Sequence, residues 1–317
     1  MTIYDDHYRL LAAQSRLCAL HFEAGPAVTD ITIRDISANG YTFRCRETGP
    51  RGGELVVLLH GFPETSHMWT SLMPRLAAAG YRVLAPDQRG YSPNARPEGI
   101  ENYRYIDMAN DAIALADTIG STRFHLIGHD WGAGCGWAVV CTWPQRVASW
   151  AALSVPHVEA FGRAIREDED QKARSQYITF FQEPGVAEAA LSADGYARLK
   201  AIWSESSEGE RAEYLAHFSE PGALTAALNW YRGSRGISPN DEQVTFGDVA
   251  VPSLVVWGNK DTAIGRKSNE DAAKHMTGPY KWVELDAGHW LIQEQFERVT
   301  SELLSHLNAN RMRPTTA

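Results

Sequence analysis

The strongest constraint on the fold is a series of short apolar runs, each closed by a turn and separated by stretches of helical periodicity. The runs cover residues 55–59, 81–85, 124–127 and 147–155, and the series resumes late in the chain at 253–257 and 281–285. Near-continuous apolar strands of this kind suit a parallel sheet covered on both faces. Between them, Ile106, Ala109, Ile113, Ala116 and Ile119 recur at three- or four-residue steps, which predicts a crossover helix over 103–119. Phe296, Val299, Leu303 and Leu307 mark a closing helix. Ahead of the series, 31–36 and 41–46 flank Asn39-Gly40 and read as an antiparallel hairpin. The expected class is therefore α/β: a mostly parallel twisted sheet with helices on both faces.

From 157 to 240 the strand signal disappears. This stretch is rich in Ala, Glu, Tyr and Trp and is broken at Pro184-Gly185, Pro221-Gly222 and Gly233. It is expected to be a helical lid that leaves the sheet after one strand and returns before the next. Such an insertion would cover the crevice at the carboxyl ends of the strands, where α/β folds bind ligands. The expected division is an N-terminal helical extension (1–30), a first part of the core (31–156), the lid (157–240) and a second part of the core (241–317).

Composition narrows the function classes. A 317-residue chain that is 44% hydrophobic and 22% charged is globular rather than disordered. Its formal charge of −9 argues against nucleic acid or an anionic membrane as the main partner. Cys18, Cys45, Cys135 and Cys141 show no C-x-x-C spacing and read as free thiols of a reducing compartment. No run approaches the roughly 18 apolar residues of a membrane span. Asp5 and Asp6 stand where a signal peptide would be basic. A cytoplasmic protein is expected, with self-association as a homodimer left open.

Four short elements sit at the ends of expected strands. They are His60-Gly-Phe-Pro63, Asp130 in "LIGHDWGAGCG" (126–136), Asp261 in "WGNKD" (257–261), and His289 in "AGHW" (287–290). The second has the form of a nucleophile elbow, G-x-S-x-G, with aspartate where serine is usual. A serine needs a base before it attacks a carbonyl carbon. An aspartate, with an ordinary pKa of about 3.9, is already anionic and can displace a leaving group at saturated carbon. The histidine then has a later task, activating water against the resulting ester, with Asp261 orienting the imidazole. An aspartate at a turn can also be purely structural, but the three partner motifs, in order, favour the nucleophile. Asp286, three residues before His289, is the weaker candidate for the orienting acid. His60 and His129 are expected to hydrogen-bond locally, and His125 to lie in the core or at its rim.

The order of nucleophile, acid and histidine is that of the α/β-hydrolases, and from about residue 31 to 309 the sequence resembles their epoxide hydrolase branch. The resemblance rests on the elbow, "HGFPETSHMW" (60–69), "APDQRGYS" (85–92), "GHW" (288–290), "YITFFQEPGVAE" (177–188) and "LNWYR" (228–232). It implies that Tyr177 and Tyr231, from the lid, hydrogen-bond the epoxide oxygen. It also implies that the backbone N–H groups of Phe62 and Trp131 form an oxyanion hole. A phenol near pKa 10 is a suitable proton donor to an opening epoxide. The implied activity is hydrolysis of a small hydrophobic epoxide to a vicinal diol by water, without metal or organic cofactor. Tyr196 and Tyr214 are expected to be structural, while Phe181 and Trp230 are expected either to line the pocket or to form lid core. Haloalkane or haloacid dehalogenation, on the same nucleophile, is the alternative chemistry. There Trp131 would hold the halide, but Phe62 stands where the haloalkane enzymes often have Asn. A non-catalytic receptor on the same fold is the remaining alternative.

Overall fold

A computed structural model describes residues 30–234 and 244–312; the expected N-terminal helix and Cys18 lie outside the described residues. Strands β1 (Thr32–Ala38) and β2 (Tyr41–Thr48) form the expected hairpin. Its two turn residues, Asn39 and Gly40, both take positive φ, as a two-residue hairpin turn requires. The remaining strands are β3 (Leu55–Leu59), β4 (Arg82–Pro86), β5 (Phe124–His129), β6 (Val147–Leu153), β7 (Ser253–Gly258) and β8 (Tyr280–Leu285). They form one eight-stranded sheet in the order β1-β2-β4-β3-β5-β6-β7-β8. β2 runs antiparallel to β1 and β4; every other pairing is parallel.

The burial of each strand explains its sequence. Every residue of β3, β5, β6 and β7 is buried, as their unbroken apolar runs demand. The edge strands differ: β1 is largely exposed, and β8 buries only Val283 and Leu285. Helices α1 (Met73–Ala78), α2 (Tyr105–Thr118) and α3 (Trp131–Thr142) connect the first parallel strands. In α2 the buried stripe is Tyr105, Met108, Ala109, Ala112, Leu115 and Ala116. The stripe expected from sequence is therefore displaced: Ile106, Ile113 and Ile119 are only partly buried. Alanines let α2 approach its neighbours closely, so the isoleucines fall at the edge of the face rather than its centre.

Between β6 and β7, residues 158–233 are mainly helical: α4 (Val158–Glu167), α5 (Glu169–Arg174), α6 (Gln176–Phe181), α7 (Val186–Ile202), α8 (Glu208–Phe218) and α9 (Ala223–Gly233). α7 is kinked where Ala193 to Tyr196 leave helical geometry. After β7 come α10 (Arg266–Ala272), α11 (Leu291–Glu294) and α12 (Phe296–Ala309), the last burying Val299, Leu303 and Leu307. None of the described helices is long and apolar enough to cross a membrane.

The inserted helices are tied to the carboxyl ends of the strands. Trp203 Nε1 donates to the Pro63 carbonyl at 3.0 Å, Tyr214 to Glu64 at 3.2 Å, and Trp230 Nε1 to the Arg89 carbonyl at 2.7 Å. Strand order reverses at β3, with β4 on one side and β5 on the other. The crevice between the ends of β3 and β5 is therefore the point at which ligands bind in open α/β sheets.

Candidate active site

Asp130 stands at that crevice, between the end of β5 and the start of α3. Its backbone takes φ 52°, ψ −120°, a conformation costing a non-glycine residue on the order of 1–3 kcal/mol. Neighbours hold it there: its N–H donates to Leu153 O at 3.3 Å, and its carbonyl accepts from Ala133 and Gly134 at 2.9 and 3.1 Å. α3 can begin this close to the sheet because position 132 is glycine. A methyl group there would collide with the backbone oxygens of Leu59 and His60. The geometry aims the Asp130 side chain off the turn, at the positive end of a helix. Oδ1 accepts the Phe62 N–H at 2.8 Å. The Trp131 N–H, first in α3, has no acceptor within its own helix.

His289 follows β8 and lies between two carboxylates. Its Nδ1 is 2.8 Å from Asp261 Oδ2, and its Nε2 is 3.5 Å from Asp130 Oδ2. Asp261 is buried, and its Oδ1 accepts the N–H groups of Ala263 and Ile264 at 2.7 and 2.9 Å. Asp286 points instead to the surface, paired with Lys260 at 2.8 Å.

Burial alone would push the His289 imidazole below the ordinary histidine range. The Asp261 and Asp130 carboxylates outweigh it and raise the imidazole well above 6.5. Burial likewise works to raise Asp261, but attraction to and hydrogen bonding with His289, with further help from Ser154, hold its carboxyl below the usual range. The acid and the imidazole are thus charged together.

Facing this cluster is a cavity of about 380 Å³ whose lining includes Asp130, His289, Tyr177 and Tyr231. Tyr177 comes from α6 and Tyr231 from α9, with ring centroids 6.2 Å apart. The Tyr231 ring packs edge-on against Trp131 at 4.8 Å and Phe62 at 5.4 Å. Burial, reinforced by the Asp130 charge, pushes both phenols upward, so both keep their protons at neutral pH. Phe62, Phe181, Ile202, Ala263 and Trp290 supply the apolar walls. Phe181 is thus a pocket residue. Trp230 lies beneath, buried and stacked on His60 at 5.7 Å.

His60 accepts the Gln88 N–H at 3.1 Å, and burial lowers it to about 4. His125 is buried in β5 beside Ser149 Oγ at 2.8 Å. His129 Nε2 lies 3.0 Å from the His289 carbonyl, and its Nδ1 faces buried Glu64 at 3.6 Å. Glu64 also accepts from Tyr214 and, at 2.7 Å, from Gln293. Sequence reasoning passed over Glu64, Gln293 and Ser154. The sequence carried only weak signals for them: an acid inside the 60–69 motif, and a serine inside the apolar run at 147–155.

The comparisons with known proteins agree with this architecture. The family model described as the alpha/beta hydrolase fold matches residues 54–295. The chain belongs to that family and, within it, to the epoxide hydrolase branch. It is 35% identical to Epoxide hydrolase A of Mycobacterium tuberculosis, over 89% of this chain and 99% of that one. It is 34% identical to the AB hydrolase superfamily protein YfhM of Bacillus subtilis, over 86% and 96% of the two chains. The crystal structure of Epoxide Hydrolase A from Mycobacterium thermoresistibile superposes with a TM-score of 0.77 at 33% identity, covering 90% of this chain and all of that one.

Proposed function

We propose that the protein is an epoxide hydrolase that works through a covalent ester on Asp130, with no metal or organic cofactor in the reaction. One observation carries this reading: a carboxylate at an elbow, an imidazole and two protonated phenols line the same cavity.

Oδ1 of Asp130 already sits on the Phe62 N–H, which leaves Oδ2 to attack. Oδ2 forms a bond to an epoxide carbon as that carbon's bond to the ring oxygen breaks. The developing alkoxide takes a proton from Tyr177 or Tyr231. With the Asp130 charge gone, the Nε2 proton of His289 passes through water to the tyrosinate; a water molecule then gives a proton to the freed Nε2 and adds to Cγ of the ester. The negative charge of the tetrahedral intermediate gathers on Oδ1, where the Phe62 and Trp131 N–H groups receive it. Collapse breaks the Cγ–Oδ2 bond, the departing Oδ2 takes the remaining hydroxyl proton of the intermediate, and the vicinal diol leaves with Asp130 a carboxylate and His289 protonated as at the start.

Timing follows from the charges. Before alkylation two carboxylates hold a proton on His289. Esterification neutralises Asp130 and removes one of them, so the imidazole becomes a better base when a base is needed. The apolar walls favour a hydrophobic epoxide. The tyrosines favour epoxide over halide, because a departing halide needs no proton.

The test is a single turnover in ¹⁸O-water, alongside a panel of aryl epoxides, aliphatic epoxides, haloalkanes and esters. Epoxide turnover with label in Asp130 and an unlabelled first diol is expected. Label in the first diol would mean direct attack by water, and turnover of haloalkanes alone would favour the dehalogenase.

A further inference from the structure

Ser154, directly after β6, is buried and takes φ 76°, a region that serine rarely occupies and that is costly to hold. Its backbone is fixed from β7, the N–H donating to Val256 O at 2.9 Å. The preceding residue, Leu153, accepts the Asp130 N–H. The strained turn therefore joins the elbow to β7, the strand that Asp261 follows.

Its hydroxyl donates to Asp261 Oδ2 and lies 2.9 Å from His289 Nδ1. A serine hydroxyl has one proton to give. With Nδ1 only 2.8 Å from Oδ2, the imidazole must carry its proton there, or two lone pairs would face each other. The serine proton therefore goes to Oδ2, the Nδ1 proton stays in place, and Nε2, toward Asp130, is the nitrogen that loses its proton when the imidazole becomes neutral. Ala263, Ile264, His289 and Ser154 together supply four donors to Asp261, so the carboxylate has no competing orientation.

We propose that Ser154 is a positioning residue for ester hydrolysis, its hydroxyl fixing the Asp261 carboxylate against His289. The proposal rests on the two-step reading above. Loss of the hydroxyl removes a donor from Asp261, makes that carboxylate more basic and tightens its hold on the His289 proton. Alkylation of Asp130, which does not use His289 as a base, is not expected to depend on it.

The test is transient kinetics on Ser154→Ala and Ser154→Gly, following ester formation and decay across pH. Glycine relieves the positive φ while lacking the hydroxyl, so it separates strain from hydrogen bonding. In both variants ester decay should slow on the order of tenfold, ester should accumulate, and the acid limb of decay should rise by up to about one pH unit. Decay and its pH limb unchanged in Ser154→Gly would overturn the proposal. So would equal slowing of both steps in parallel with a lowered Tm, the mark of a merely structural residue. The wild type separates the two levels. If it forms no Asp130 ester, the two-step reading fails and this role with it; if it does and the variants behave normally, only the role of Ser154 fails.

Discussion

His289 Nε2 lies 3.5 Å from Asp130 Oδ2 while its Nδ1 lies 2.8 Å from Asp261 Oδ2. The imidazole therefore bridges the proposed nucleophile and a fixed acid, and its proton affinity changes when either charge changes. In the proposed mechanism, that coupling lets one histidine remain idle during alkylation and act as base afterwards.

A pH dependence follows. In the free enzyme the two carboxylates, against burial, hold His289 well above 6.5. In the ester only Asp261 remains, so the titration falls from its free-enzyme position. The base must be neutral, so ester decay should rise with pH through that lowered titration and decline on its acid side. Stopped-flow decay measured across pH checks this. A flat profile through the histidine range would remove His289 as base.

The phenols should act on the other step. Tyr177→Phe and Tyr231→Phe are each expected to slow alkylation by about ten- to a hundredfold, and the double variant to nearly abolish it, in keeping with the roughly 10²–10⁴-fold worth of general acid catalysis. Rapid-quench measurement of ester formation provides the check. A double variant that alkylates at the normal rate would refute their role as donors.

The two candidate orienting acids should separate cleanly. Asp261→Asn is expected to slow ester decay by about 10²–10⁴-fold, since the imidazole loses its orienting charge. Asp286→Asn, on an exposed residue paired with Lys260, should change it by less than about twofold. Steady-state and single-turnover rates of the two variants decide the matter.

Gly132 links elbow geometry to stability. Gly→Ala within a helix ordinarily gains about 0.5–1 kcal/mol, but the added methyl would meet the backbone of Leu59 and His60. Overpacking of about 1–3 kcal/mol should win, lowering Tm and displacing Asp130 from the Phe62 N–H. A raised Tm with full activity would show that α3 can shift without cost.

The strands were legible because being buried on both faces leaves an unbroken apolar run; all eight lie within a few residues of their expected places. The stripe of α2 was less so, since alanine reads weakly in a hydrophobic pattern yet permits the closest packing. The expected site residues came from turns next to strands and from motif resemblance, and the fold brings Asp130, His289, Tyr177 and Tyr231 to one cavity. Ser154 and Glu64 were not legible. The first was absorbed into an apolar run expected to reach 155, and the second acquires its partners only when β3, β5 and α8 converge. Contacts among three separate elements leave no periodicity in any one of them.

The central claim is the covalent ester on Asp130, and mass spectrometry of His289→Gln mixed with an aryl epoxide tests it most directly. The account predicts that the intact protein gains the mass of one substrate and that peptide mapping finds it on Asp130. Diol formation by this variant at the wild-type rate, with no adduct at any time, would contradict it.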